Sequence, residues 1–286
     1  MTVVAVKRCQ HTALRHLAWS IWLNYDPDKC WMAMYTCYYD ASSTQDTATK
    51  PLVVVGLLST MKKWLKCENE WDAVLGEFEL PYLHMKEFAH SVGPFAALKN
   101  DLDKRAEFLA GLIGVLKRRV NIIFQYRLVP EVFHKFDHEY TLREALGNPY
   151  AFTTMATIRL ANEWFESHYP NDQIEHVVEK GDIGQAQLLA QFAGLPYAPT
   201  LKPKIEPKTQ RHLVPFQAVD LLAYEAYLNI NRHLEGKKQV LRKSLAELRK
   251  IPHCARLCDD EVMQNVIAQN PEALVKRSES RARPLR

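Results

Sequence analysis

Hydrophobic and polar positions follow two periods along this chain, one typical of strands and one typical of helices. Strands are predicted at apolar runs rich in β-branched and aromatic residues: Trp31–Tyr39, Pro51–Thr60, Asn121–Val129 and Gln173–Asp182, the last with a turn at its end. A polar loop, ASSTQDTATK, joins the first two runs. An antiparallel pair is the simplest arrangement for them.

Helices are predicted where apolar residues recur every three or four positions. These segments are 61–78, 100–119, 131–146, 148–169, 215–234 and 243–250. The stretch LPYLHMKEF, residues 80–88, is predicted to be short and extended. The proline-rich segment 194–214 is predicted to be a loop with room for an edge strand. This mixture of strands and covering helices predicts an α/β protein.

The length of 286 residues permits one large domain or two small ones. We expect a main domain over residues 31–250. An N-terminal extension over 1–30 would hold a short helix that ends at the Asp26-Pro27 turn signal. A C-terminal extension over 251–286 would end in the basic tail KRSESRARPLR, which we expect to be disordered.

The composition bears on location more than on function. Hydrophobic residues make up 47 % of the chain, enough for a substantial core, and a net charge of +4 permits nucleic-acid binding without arguing for it. The six cysteines are scattered, and neither a secretory leader nor an apolar run of roughly 18 residues is evident. We therefore expect a soluble, cytoplasmic protein with reduced thiols and no membrane contact.

Three carboxylates stand among apolar neighbours, and each has an ordinary structural explanation. Asp40 ends the first predicted strand, in TCYYDASS, and can be a turn residue. Glu179 ends the fourth, in VVEKGD, and can be a solvated strand end. Asp220 lies in QAVDLLAYEAY, on a helix that is apolar on most sides. A charge there is costly unless it is paired, so Asp220 can also belong to a buried ion pair.

Taken together, the three acidic positions indicate a metal site. Two strand ends and one buried helix position can converge on one edge of a sheet, and converging carboxylates repel each other unless cations lie between them. Oxygen ligands of this kind suit Mg²⁺ or Mn²⁺. Two such ions about 3.5–4 Å apart can activate a water and stabilise the leaving oxygen during phosphodiester cleavage.

The chain resembles the family known as domain of unknown function 3800. The resemblance rests on YYDAS, VVVGLL, PYLHMKEF, NPYAF, VVEKGD and PFQAVDLLAYE, which occur in that order and cover roughly residues 31 to 235. It implies a ribonuclease-H-like fold, metal-dependent nuclease activity and a role in defence against phage and mobile elements. The implied partners are nucleic acid, DNA or RNA being left open, and a second copy of the chain or a defence-system protein.

The resemblance also implies roles for individual residues. It selects Asp40, Glu179 and Asp220 as the acidic core that holds the ions. His84 and Lys86, from HMKEF, are similar to a polar motif near that site and would orient the nucleophile or contact a phosphate. Asp182 is an additional candidate ligand.

One departure from the family pattern keeps other functions open. Where the family has an acidic residue and then Ser-Gly after the first aspartate, this chain has Ala41, Ser42 and Ser43. The change would weaken support for the metal site. It favours a non-catalytic nucleic-acid-binding or regulatory protein that keeps the fold. A third hypothesis is a structural or oligomeric interaction protein, in which Asp220 only forms a buried ion pair.

Other chemistry-bearing residues fit ordinary roles. Glu225 should not share the Asp220 face of its helix, because five residues correspond to about 140° of rotation. The pair His134 and His138 lacks the glutamate of a zincin motif, and PHCARLC has no second cysteine pair facing it. Basic residues precede the Asp220 helix and could hold phosphates or simply be solvated: Lys202, Lys204, Lys208, Arg211 and His212.

Overall fold

The computed structural model describes residues 34–42, 49–205, 207, 210–236 and 241–280. Several predictions fall outside the described residues. They concern the N-terminal helix, the first three positions of the first strand, Ser43, Lys208 and the basic tail from residue 281 onward.

The described residues form a six-stranded mixed sheet. Its strands are β1 (Met34–Ser42), β2 (Leu52–Thr60), β3 (Ile122–Leu128), β4 (Gln173–Glu179), β5 (Thr200–Lys202) and β6 (His253–Cys258). Their order across the sheet is β5-β4-β1-β2-β3-β6. β2 is antiparallel to β1 and β3, and the other neighbouring pairs are parallel. All strands except β2 therefore have their carboxyl ends at the same edge of the sheet.

The helices of the described segments range from 4 to 21 residues in length. They are α1 (Met61–Glu77), α2 (Met85–His90), α3 (Leu102–Arg119), α4 (Pro130–Glu139), α5 (Leu142–Leu146), α6 (Pro149–His168), α7 (Gln185–Gln191), α8 (Val214–Leu234), α9 (Lys243–Leu248), α10 (Asp260–Gln269) and α11 (Arg277–Ser280). Side-chain caps fix several starts: Thr60 accepts from Lys63 N–H, and Asn148 accepts from Ala151 N–H.

The strand order gives a ribonuclease-H-like fold. β1, β2 and β3 form an antiparallel meander, and the chain then crosses through α6 so that β4 lies parallel beside β1. The predicted α/β class, a ribonuclease-H-like mixed sheet with covering helices, is thereby confirmed. The predicted antiparallel pairing of the first two strands is confirmed as well.

Helices cover both faces of the sheet and create two apolar cores. One face, here called the α8 face, packs against α1, α3 and α8, and Tyr38, Trp64 and Phe216 are buried there. The opposite face packs against α6, and Tyr39 and Phe152 are buried in that core. Because neighbouring residues of a strand point to opposite faces, Tyr38 and Tyr39 belong to different cores.

The structure differs from the predicted elements in several places, among them the division of the predicted helix 131–146 into α4 and α5 and the presence of α7, which was not predicted. LPYLHMKEF is not extended throughout, because Met85–His90 forms α2, and a distant side chain accepts the Met85 N–H. β1 continues to Ser42, so Asp40 lies within the strand and not at its end. β6 and α10 were not predicted, since β6 is an edge strand with exposed side chains and has no clear apolar period.

Two observations bear on the expected cellular environment. Among the helices of the described segments, none has the length and the apolar composition needed to span a bilayer. The cysteines in those segments are free thiols: Cys37, Cys67, Cys254 and Cys258.

Candidate active site

Three carboxylates meet where the carboxyl ends of β1 and β4 approach α8. The parallel register that pairs Tyr39 with Val178 places the next residue of each strand, Asp40 and Glu179, side by side. α8 packs across β1 and carries Asp220, whose charge acts on Asp40. The structure therefore brings together the three acidic residues that the sequence singled out.

Asp40 lies on the α8 face of β1, as does Tyr38 two residues earlier. Its Oδ1 accepts a hydrogen bond from the backbone N–H of Ala41 at 2.7 Å. Burial raises the pKa of Asp40 well above its usual range, and the charges of Glu179 and Asp220 raise it further. An ionised Asp40 is therefore costly unless a cation lies close to it.

Glu179 is positioned by the turn that follows β4. Gln185 donates a hydrogen bond to the Glu179 carbonyl oxygen at 2.6 Å and accepts one from the Gly181 N–H at 3.1 Å. The φ of Gly181 is 141°, a value that favours glycine in this turn. Among the described residues, nothing forms a hydrogen bond with the buried Glu179 Oε2. Burial raises the pKa of Glu179, Lys204 opposes this shift and Asp220 adds to it.

Asp220 is held by contacts between α8 and the segment before α2. Its Oδ2 accepts a hydrogen bond from the Met85 N–H at 2.8 Å. Nearly one turn earlier on α8, Gln217 Oε1 accepts hydrogen bonds from the Leu83 N–H at 2.6 Å and from Trp71 Nε1 at 3.1 Å. Asp220 thus has a structural role at one of its two oxygens, Oδ2.

Lys204 brings a positive charge into the acidic group. Its carbonyl oxygen accepts a hydrogen bond from the Leu213 N–H at 2.8 Å, which closes the base of the proline-rich loop. Its Nζ lies 3.8 Å from Glu179 Oε2. Burial lowers the pKa of Lys204, but the charges of Asp220, Glu179 and Asp40 raise it above its ordinary value. The ammonium group is therefore charged at neutral pH and offsets part of the carboxylate repulsion.

His84 lies beside the carboxylates, within a second group of polar side chains. Its Nδ1 is 3.1 Å from Glu87 Oε1, and the Tyr82 hydroxyl donates to Glu87 Oε2 at 2.8 Å. The Tyr82 ring stacks on His212 with centroids 4.2 Å apart. Burial favours a higher pKa for Glu87, but the hydrogen bonds from His84 and Tyr82 hold it below its usual value. The His84 charge also lowers the pKa of Glu179.

The remaining predicted site residues differ in position. Asp182 is near the carboxylates, since its charge raises the pKa of both Asp40 and Glu179. Lys86 has an exposed side chain, and it is not among the charges that shift these two pKa values. The structure therefore brings Asp182 to the acidic group but leaves Lys86 at the surface of α2.

The donor chemistry of this group fits a divalent cation, although the side chains are not closed around one. Within the described ranges, no three acidic, histidine or cysteine side chains stand at the spacing of a formed metal site. Three carboxylates nevertheless converge, and the buried Glu179 Oε2 lacks a hydrogen-bond donor. Oxygen atoms of this kind suit Mg²⁺ or Mn²⁺. In this arrangement Lys204 supplies part of the missing positive charge.

Among the other sequence candidates, Glu225 has a structural role. Glu225 is fully buried, and its Oε2 lies 3.0 Å from Arg242 Nε and accepts from Ser244 Oγ at 2.8 Å. It therefore does not share the site of Asp220, as the helical rotation predicted. His138 has an exposed side chain on α4. On β6, Cys258 is buried while His253 is exposed, as expected for strand positions of opposite parity.

Some residues near the carboxylates were not singled out as site residues from the sequence. Tyr150, within NPYAF, is one of them: burial raises its pKa, and the charge of Asp182 raises it further. Glu87 and Tyr82 are others, although both lie in PYLHMKEF. These residues lie within two of the motifs on which the family resemblance rests. The motifs alone did not indicate which of their side chains face the acidic group.

Comparisons with known proteins give weak structural likenesses only. No protein-family model and no curated protein matches the chain. Bst-RNase HIII in complex with Mn²⁺ aligns with a TM-score of 0.41 and 11 % identity, over 87 % of this chain and 68 % of that one. RNase HII in the PCNA:RNase HII complex from Archaeoglobus fulgidus aligns with a TM-score of 0.35 and 13 % identity, over 89 % and 96 %. Ribonuclease H2 from Pyrococcus horikoshii OT3 aligns with a TM-score of 0.31 and 13 % identity, over 76 % and 97 %.

Proposed function

We propose that this protein is a divalent-metal-dependent nuclease that cleaves phosphodiester bonds. The observation that supports it is the convergence of Asp40, Glu179 and Asp220 at the carboxyl edge of the sheet, where the buried Glu179 Oε2 has no hydrogen-bond donor among the described residues. Membership of the domain of unknown function 3800 family, a cytoplasmic location and a role in defence against phage or mobile elements belong to the same proposal, as the sequence resemblance implies.

The residues of the acidic group would have different roles in cleavage. Asp40, Glu179 and Asp220 would hold Mg²⁺ or Mn²⁺, with Asp182 as an additional ligand. When bound, the ions would activate a water and stabilise the leaving oxygen of the phosphodiester. Lys204 lies close enough to offer its ammonium to a phosphate oxygen once the carboxylates are neutralised.

His84 would act on the nucleophile or on a phosphate oxygen. Its Nδ1 contact with Glu87 fixes the ring, which leaves Nε2 for the nucleophile or a phosphate oxygen. Lys86, exposed on α2, would contact the nucleic-acid strand farther from the ions.

Metal-dependent stabilisation tests the acidic group directly. We expect Mg²⁺ or Mn²⁺ at about a hundred times its Kd to raise the melting temperature of the wild type by about 5 °C relative to EDTA. Asp40→Asn should lose this shift and lose cleavage of DNA or RNA substrates. In EDTA at neutral pH the variant should melt at the same or a higher temperature, because a repelling charge is removed.

The pH dependence of the stability of Asp40→Asn shows whether the effect of the substitution comes from the lost charge of Asp40. Since the pKa of Asp40 is raised in the folded protein, its ionisation destabilises the fold as pH rises. The gain in stability from Asp40→Asn should therefore shrink as pH is lowered and Asp40 becomes protonated in the wild type. Glu107→Gln is the control, because Glu107 has an exposed side chain on α3 and is not among the charges that shift the pKa of Asp40. A wild type whose melting temperature does not rise with Mg²⁺ or Mn²⁺ and that cleaves neither DNA nor RNA would contradict the nuclease proposal.

A second candidate is a nucleic-acid-binding protein that has kept the fold without catalysis. The Lys204 ammonium favours it, because this charge compensates the carboxylates without any metal. This function predicts salt-dependent binding of nucleic acid that is the same in EDTA and in Mg²⁺. Asp40→Asn would leave that binding unchanged, whereas a nuclease site would show metal-dependent binding that the substitution removes.

A further inference from the structure

A second cleft lies on the α8 face of the sheet, toward the edge strand β6. Gln125 and Arg127 point to this face together, because they are two residues apart on β3. β6 contributes His253, α8 contributes Asn229, and Arg249 at the end of α9 completes the rim. The cleft is therefore lined by side chains from four elements and is separate from the acidic group.

Two guanidinium groups share this cleft without an acidic partner. Arg127 Nε is buried and forms no hydrogen bond with the described part of the chain. Burial lowers the pKa of Arg127, and the like charge of Arg249 lowers it further. No carboxylate is among the described residues that line the cleft. Two neighbouring positive charges in this setting repel each other and lack compensation.

Two other partly buried arginines of the described ranges meet carboxylates. Arg242 Nε lies 3.0 Å from Glu225 Oε2, and Arg277 Nη1 lies 2.8 Å from Glu144 Oε1. Arg127 differs from these two, because its buried Nε forms no hydrogen bond with the described residues. Arg159 Nε shares this property, so the feature that distinguishes the cleft is the second guanidinium, that of Arg249, beside Arg127.

The size and the donors of the cleft define the kind of group that fits. Its volume is about 60 Å³, which is room for about four water-sized groups. The two guanidinium groups supply donors in a planar fork that matches oxyanions, and the amide groups of Gln125 and Asn229 can donate beside them. A compact anion with several oxygen atoms would satisfy the donors that the protein leaves unpaired.

We propose that this cleft is an anion site that binds a phosphate group through Arg127 and Arg249. Charge-assisted hydrogen bonds from guanidinium to phosphate are strong and frequently bidentate. The phosphate could be free, could belong to a small nucleotide, or could belong to the backbone of a nucleic acid. These sources share one recognition chemistry, and titration with different ligands distinguishes them.

The site stands apart from the proposed metal centre. β2 lies between the two, and Val55 pairs with both Asp40 and Gln125. With neighbouring strands about 4.8 Å apart, Asp40 and Gln125 are separated by about 10 Å. The phosphate proposal therefore does not depend on metal binding, and its test is carried out in EDTA.

Titration with inorganic phosphate tests the site. We expect phosphate in EDTA to raise the melting temperature more than sodium chloride does at equal ionic strength. Calorimetry should give a Kd that rises at least tenfold in Arg127→Met and in Arg249→Met. Arg256→Met is the matched control, because Arg256 lies on β6 with the opposite parity to His253 and should keep the wild-type Kd.

Two further measurements distinguish a loss of phosphate binding from a folding defect. Without phosphate, Arg127→Met should melt at the same or a higher temperature, since an unpaired buried charge is removed. Arg249 is exposed, so its variant should keep the fold and still lose phosphate binding. The proposal is overturned if phosphate gives no shift beyond that of chloride, or if both variants keep the wild-type Kd.

Competition identifies the source of the phosphate. A mononucleotide that displaces inorganic phosphate, when a single-stranded oligonucleotide without terminal phosphate does not, indicates a small-molecule ligand. An oligonucleotide whose binding weakens in both arginine variants indicates a backbone phosphate. Both results support the anion site, whereas nucleotide or oligonucleotide binding that is unaffected by both variants contradicts it.

Discussion

At the scale of single residues, neighbouring charges influence whether the carboxylates of the acidic group are ionised. Asp40 and Glu179 both have raised pKa values, and burial is the first cause in each case. The charge of Lys204 opposes both shifts. The same ammonium that stabilises the metal-free protein would compete with a divalent ion for the carboxylates.

Lys204→Met should therefore have opposite effects on stability with and without metal. In EDTA we expect the free energy of unfolding to fall by about 1–3 kcal/mol, because three carboxylates lose their compensating charge. Saturating Mg²⁺ or Mn²⁺ should then produce a larger rise in melting temperature than in the wild type. Differential scanning fluorimetry across a metal titration measures both effects.

Lys180→Met serves as the control for this prediction, since Lys180 has an exposed side chain just after Glu179. It should change neither the stability in EDTA nor the metal-induced shift. Equal behaviour of the two lysine variants would mean that Lys204 has no special relation to the carboxylates.

At the scale of elements, α8 connects the acidic group to the rest of the α8 face. Gln217 receives hydrogen bonds from α1 and from the segment before α2, and Asp220 receives one from the first residue of α2. A single helix therefore sets the position of α2, which carries Lys86, and of His84 just before it.

Replacing Gln217 by leucine should loosen this connection. The substitution keeps the size of the side chain but leaves Trp71 Nε1 and the Leu83 N–H as buried donors without an acceptor. We expect a loss of about 2–4 kcal/mol in the free energy of unfolding. Gln264→Leu makes the same chemical change at an exposed position of α10 and should be close to neutral. Urea denaturation of both variants provides the comparison.

Local patterns predicted the strands β1 to β4 and singled out the three acidic residues, but they did not predict the contacts between distant segments. Asp220 was recognisable because a charge among valine, leucine and alanine requires a partner. The helix Met85–His90 was missed because its first N–H is satisfied by that same Asp220, far along the chain. The pairing of Arg127 with Arg249 also depends on how β3 and α9 pack, which no periodicity reports.

At the scale of the whole molecule, buried polar groups make stability depend on pH. His176 is buried on β4, where its Nδ1 forms a 2.8 Å hydrogen bond with the Tyr39 hydroxyl and its Nε2 has no partner in the described segments. Burial lowers the pKa of His176 to about 3. The folded protein therefore keeps this ring neutral at a pH where the unfolded chain protonates it.

This shift fixes the sign of the expected pH dependence. Between pH 6.5 and about 3 the unfolded state binds the extra proton, so His176 destabilises the fold progressively as pH falls, by up to about 1.4 kcal/mol per pH unit. The raised pKa values of Asp40 and Glu179 act in the opposite direction. The difference in unfolding free energy between wild type and His176→Gln should isolate the histidine contribution.

The measurement is a series of urea denaturations from pH 7.5 to pH 4.5. Relative to wild type, His176→Gln should become progressively more stable below pH 6.5, with a constant difference above pH 7. A difference that stays constant over the whole range would mean that His176 titrates normally in the folded protein.

The placement of the acidic residues also has a consequence for the order of folding. Asp40, Glu179 and Asp220 come from strands and a helix that are separated by much of the described chain. Contacts of this kind require large loops to close, and such closures come late and slowly in folding. Partly folded or truncated chains would therefore lack the assembled carboxylates, so a nuclease built in this way would stay inactive until its synthesis and folding were nearly complete.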